Sequence, residues 1–201
     1  MSWRRTGLAL LLYSVSGLAQ TPEIVVGQDT PMGGGTILHM HRAAAEAPLG
    51  DGWHQAESTQ GGFHVQFPGP YNDFRVRSAA TDGVAIYLDA VGMQLADGVK
   101  YSAVCTSRAD GALSGAVGDV VAGLAQGKAG ATLARVNTPL GPAVDLTLPG
   151  KARIREVRAP GRSCMLTVEA QGIAPLSDLP AAERFVGSLR VTGSVDGVVV
   201  K

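Results

Sequence analysis

The alternation Phe63-His64-Val65-Gln66-Phe67, closed by Pro68-Gly69-Pro70, constrains the fold of this chain more than any other segment. A period of two puts Phe63, Val65 and Phe67 on one face and His64 and Gln66 on the other, which describes a strand with one buried side. Gln60-Gly61-Gly62 before it supplies a turn back to a partner strand over residues 53–58. Proline donates no ladder hydrogen bond, so the strand must end at Pro68 and lie near a sheet edge.

The same punctuation recurs. Residues 84–93 and 99–107 form a second predicted hairpin around Asp97-Gly98, with Val99, Tyr101, Ala103 and Cys105 on one face. Segments at 131–137, 142–148, 153–158 and 164–171 are separated by Gly141, Pro149-Gly150 and Pro160-Gly161, the pattern of an antiparallel meander. Leu113, Val117, Val120, Val121 and Leu124 predict a helical stripe over 112–128. That helix carries Gly115, Gly118, Gly123 and Gly127, each costing up to ~1 kcal/mol against alanine, so it needs a sheet behind it. A closing helix is expected to start at Ser177 or Asp178, with Leu179, Phe185, Val186 and Leu189 turned inward. Strands with segregated helices predict an α+β domain, an antiparallel β-sheet with helices packed on its faces.

Ahead of that domain, Arg4-Arg5, the apolar run from Leu8 to Tyr13, and the small residues Gly17 and Ala19 read as a secretory signal peptide over residues 1–19. Its apolar run is too short to cross a ~30 Å bilayer as a helix. Residues 20–52 read as an N-terminal arm, partly disordered, whose Ile37, Leu38 and Met40 support a short strand added to a sheet edge. The folded domain is expected over 53–192, followed by a tail over 193–201 in which Val198-Val199-Val200 can add a short strand. Removing the signal leaves about 15 basic residues against 17 acidic, a net charge of about −2, with no basic cluster to follow a phosphate backbone. Nucleic acid is therefore excluded as the expected partner. No span is expected after signal removal, and the predicted protein is a monomer in the periplasm or outside the cell.

The strand Gly61-Gly62-Phe63-His64-Val65-Gln66-Phe67-Pro68, the segment Gly161-Arg162 with Leu166 and Val168, and Ala182 to Leu189 follow one another in an order that resembles secreted PsbP-like domains. The resemblance covers roughly residues 53–191. It implies an α/β/α sandwich and an accessory or binding role, and it carries core positions rather than an active site. Cys105 and Cys164 stand where that pattern usually has aromatic residues.

Candidate chemistry is sparse. Cys105 and Cys164 are the only cysteines, and both fall on the apolar parity of their strands. In an exported chain they form either a disulfide or two packed core thiols. His39 and His41 are two apart in a predicted strand, where they share a side and can grip copper or zinc with His64 or a methionine; a solvated strand face is the simpler explanation. Tyr71-Asn72-Asp73-Phe74 is the predicted partner-contact loop, with Trp53 beside it, and the alternative is that Trp53 and Phe74 close the core. Asp73, Asp82, Asp89, Asp97 and Asp110 are explained by turn chemistry, and Ser114 and Ser188 have no nucleophile-elbow context. The expected function is a non-catalytic binding or accessory domain for a protein or small-molecule partner. The alternatives are metal binding through His39 and His41, or an enzyme.

Overall fold

The computed structural model describes residues 36–43 as backbone, and residues 49–113, 115–171 and 175–192 with their side chains. The predicted signal peptide, the rest of the arm, Ser114 and the tail lie outside the described residues.

Eleven strands dominate the described residues. β1 (Thr36–Ala43), β4 (Tyr71–Ala79), β5 (Ala85–Gln94), β6 (Val99–Arg108), β7 (Thr132–Thr138), β8 (Gly141–Leu148), β9 (Ala152–Ala159) and β10 (Arg162–Ala170) form one antiparallel sheet in the order β1-β4-β5-β6-β10-β9-β8-β7. β2 (His54–Ser58), β3 (Phe63–Phe67) and the short β11 (Arg190–Val191) form a second, in the order β11-β3-β2. The helices are α1 (Asp119–Ala125) and α2 (Leu179–Gly187), of seven and nine residues.

The two-layer core follows from strand parity. Phe63, Val65 and Phe67 are fully buried, while His64 and Gln66 on the other parity are only partly so. They meet Val91, Met93, Tyr101, Ala103, Leu166 and Val168 of the large sheet, with Ala182, Phe185 and Val186 of α2 beside them. Phe67, Tyr101 and Phe185 pack with centroids 5.1–6.5 Å apart. Burying each such side chain contributes roughly 1.5–3 kcal/mol. α2 starts as its sequence predicts: the Asp178 side chain accepts the Ala181 N–H at 2.9 Å. Val121 of α1 packs with Val144, Leu146, Ala152 and Ile154, which lie on the opposite face of the large sheet.

At the centre of that sheet Cys105 faces Cys164 across β6 and β10, with Cα atoms 4.0 Å apart and sulfurs bonded at 2.04 Å. Directly opposed residues in antiparallel strands approach this closely only where they do not share hydrogen bonds. The bridge closes a loop of 59 residues and ties the hairpin half of the sheet to the meander half. A cystine there is compatible with export to an oxidising compartment.

The expectation of an α+β domain with helices covering a sheet is corrected: this is a β-rich fold of two antiparallel sheets with two short helices. Three local causes account for the difference. The helix expected over 112–128 shrinks to Asp119–Ala125 because Gly115, Gly118 and Gly127 all take positive φ, which ends right-handed helix on both sides. Of the predicted stripe only Val121 is fully buried, while Val120 and Leu124 are exposed at 53% and 42%. The segment beginning Tyr71-Asn72-Asp73-Phe74 is not a loop but β4, a nine-residue strand. The layer over the hairpin half is the β2–β3–β11 sheet rather than a helix. In α2, Leu179 also departs from its predicted inward position and is exposed at 55%.

Candidate functional site

The sheet edges decide which backbone groups are available to a partner, because an edge strand presents one row of N–H and C=O groups with no ladder mate. The small sheet ends at β2, and its outer side is sealed by side chains from β4. The Tyr71 hydroxyl accepts the Glu57 N–H at 3.0 Å, and Asp73 accepts the Thr59 N–H at 3.0 Å together with the Ser58 and Thr59 hydroxyls. Gly61 N–H bonds the Ser58 hydroxyl at 3.1 Å, and the Arg162 guanidinium donates to the Gly61 carbonyl. Arg75 joins the cluster through a 2.6 Å pair with Asp89 and a bond to the Gln60 carbonyl. Burial pulls the Arg162 guanidinium below its usual range, offset in part by the Asp89 charge. Asp73, Asp89 and Arg162 are thus consumed in holding the β2–β3 turn against the large sheet.

A second buried cluster fixes α2. Asp145 is 1% exposed and takes Arg155 at 2.6 Å and Arg153 at 2.8 Å; Arg153 reaches on to Glu183 and Arg155 to the Val186 carbonyl. Hydrogen bonding to Asp145 holds the Arg155 guanidinium above its ordinary range. On the opposite face Glu156 lies buried beneath α1, with one carboxylate oxygen accepting the Val121 N–H at 3.4 Å and the other unpartnered.

The large sheet ends at β7, which is constructed differently. Among the described residues its only ladder neighbour is β8, and its residues from Thr132 to Arg135 are all exposed. Leu133 is the register partner of Leu146, a residue of the cluster under α1, so Leu133 points to the α1 side of the sheet and is exposed at 48%. α1 packs over β7, β8 and β9. Its exposed Val120 and Leu124 stand one turn apart on one side of the helix. Between the lead-in to α1 and the edge lies a cleft of about 220 Å³, lined by Val117, Arg135, Asn137 and Pro142 among others. Arg135 makes no hydrogen bond or ion pair among the described residues.

The residues singled out in the sequence are distributed elsewhere. Tyr71 is 2% exposed, stacks on Phe67 at 5.9 Å and is part of the β2 seal. Phe74 is half-buried and paired with Ala90. Trp53 packs on the core while the Arg184 guanidinium covers its ring at 4.3 Å. Arg184 also binds Asp51 at 2.6 Å; that bond, with the Trp53 N–H, holds the Asp51 carboxyl below the usual carboxylate range. His64 sits on the face of β3 turned away from the core, between Glu57 and Arg190 in register. His39 and His41 belong to β1, opposite Arg75 and Asp73 of β4, and their side chains lie outside the described residues. Among the described residues no three His, Cys, Asp or Glu side chains are arranged to hold a metal ion, and no helix is long and apolar enough to cross a membrane.

Leu133, Arg135, Val120 and Leu124 were not legible as a surface. Their one sequence signal is Arg135, a charge inside an otherwise uncharged strand, a common mark of an edge. Comparison with protein-family models, curated proteins and solved structures gives no match, so nothing beyond the quoted motifs links the chain to PsbP-like proteins.

Proposed function

We propose that this protein is an exported, non-catalytic binding domain that works in the periplasm or outside the cell. The observation that carries the reading is the use to which its buried charges are put. Asp73 holds the β2–β3 turn, Asp89 binds Arg75, and Asp145 binds two arginines. Groups locked into internal pairs serve the scaffold, and the scaffold then presents surfaces and edges to a partner. The central cystine supports the compartment half of the proposal.

The test is the intact mass of the protein recovered from its host under native conditions, before and after reduction and alkylation, with crosslinking in the intact cell. The reading expects a chain starting at Gln20, two thiols released only by reduction, and a saturable crosslinked protein. Retention inside the cell with both thiols free contradicts it. A stoichiometric copper or zinc ion in the native mass replaces it with metal binding through His39 and His41.

A further inference from the structure

We propose that the open side of β7 is the partner site, and that its occupant is an extended, acidic-apolar segment of another protein that adds to the large sheet as a ninth strand. The proposal rests on the binding-domain reading and names the partner's chemistry.

Three independent features converge on the edge. The first is the backbone: β7 ends the eight-stranded sheet on one side, and among the described residues none of the side-chain acceptors that seal β2 is repeated along it. A row of unpaired N–H and C=O groups binds one class of ligand well, a chain in β conformation, whose main chain supplies affinity and whose alternate side chains supply specificity. The second is apolar. Of the five large hydrophobic side chains exposed among the described residues, Val120, Leu124 and Leu133 stand on this side of the sheet, on α1 and β7. An incoming strand that continues the pleat places every second side chain on the α1 side of the sheet, where Leu133 is, with the cleft beside Val117 and Pro142 next along the edge.

The third is charge. Arg135 shares the Leu133 face and makes no hydrogen bond or ion pair among the described residues, and Lys128 stands exposed in the turn that leads from α1 into β7. Of the carboxylates of this region, Asp145 is engaged by Arg153 and Arg155 and Asp119 by the Ala116 N–H at 2.6 Å, while Glu156 is buried beneath α1. A basic edge favours an acidic residue opposite Arg135, flanked two positions away by apolar ones. It also argues against a second copy of this chain, because a two-fold pairing centred on β7 sets Arg135 against its own equivalent.

The experiment uses a displayed library of eleven-residue peptides randomised at every position, selected on the purified protein. The expected winners carry Asp or Glu flanked two positions away by apolar residues and slow hydrogen exchange of the outward β7 amides. They bind the Arg135→Glu variant about fivefold or more weakly, and Lys-substituted winners recover that loss. Winners that protect a different surface, or that bind Arg135→Glu as tightly as wild type, overturn the site. So does a dimer in sedimentation that an Arg135→Glu substitution leaves intact. A photoreactive residue at Leu133, compared with one at Leu179 in the host, separates this failure from that of the parent reading. Crosslinking at Leu179 alone removes β7 but keeps a binding domain; crosslinking at neither removes both.

Discussion

β2 and β7 are both edge strands, and the molecule treats them in opposite ways. β2 is five residues long, buried on one parity, and has its outward Glu57 and Thr59 N–H groups bonded to Tyr71 and Asp73. β7 is seven residues long, exposed along most of its length, with apolar side chains and a lone arginine at its margin. Sealing an edge requires acceptors buried where water cannot replace them, and the fold spends a tyrosine, an aspartate and a tight glycine turn on doing so. The contrast teaches that edge exposure is controlled locally in this protein, and of these two edges β7 is the one left open for a partner strand to add.

The largest expected effect comes from the sealed edge. A Cβ on Gly61 would lie 2.6 Å from both the Asp89 Cβ and the Phe63 ring, so Gly61→Ala forces the turn off the sheet. It should lower stability by about 3 kcal/mol in urea unfolding. Near the open edge, Gly123 has nothing within 4 Å of where its Cβ would stand, and Gly123→Ala should raise stability by up to about 1 kcal/mol. Shifts of opposite sign in the two unfolding curves, the larger at Gly61, would sharpen the contrast, whereas a tolerated Gly61→Ala would break it.

Asp73→Ala comes next. It removes a buried carboxylate that accepts the buried Ser58 hydroxyl and the Thr59 N–H and hydroxyl at the sheet rim, and should cost about 1–3 kcal/mol, while Arg135→Ala should change stability by less than about 0.5 kcal/mol. Tyr71→Phe removes one acceptor and should cost about 1 kcal/mol, with faster exchange of the Glu57 amide alone.

The smallest effect concerns pH. Arg108 bonds Asp110 and Asp82, and holds the Asp110 carboxyl at about 2, below its ordinary 3.8. A depressed carboxylate favours the folded state above the unfolded value and loses that contribution as pH falls from about 4 to 2. These groups are at the surface, so an Asp110→Asn variant should show only a slightly flatter acid limb in a melting-temperature profile, removed by salt.

Much of this architecture was legible in the residues. The β2–β3 and β5–β6 hairpins and the β7–β10 meander follow from alternation punctuated by glycine and proline. β4 was hidden because Asp73 and Arg75 face inward with Tyr71, so polar residues occupy the core parity and the strand reads as a loop. Their reason lies fourteen or more residues away, in the turn they hold. α1 was overextended because periodicity counts side chains and ignores the positive φ that Gly115, Gly118 and Gly127 adopt. The candidate site was not legible at all. Which strand ends a sheet depends on pairing order, and here β10 returns to lie between β6 and β9, leaving β7 outermost. No local pattern encodes that crossover.

The most direct test of the central claim is residue-resolved amide hydrogen exchange of the whole protein. The account predicts slow exchange at Glu57 and Thr59, and fast exchange at alternate amides along Thr132–Thr138 that becomes slow when an acidic-apolar peptide is added. Uniform protection along β7 in the free protein would contradict it, because an edge already satisfied has no place for a ninth strand.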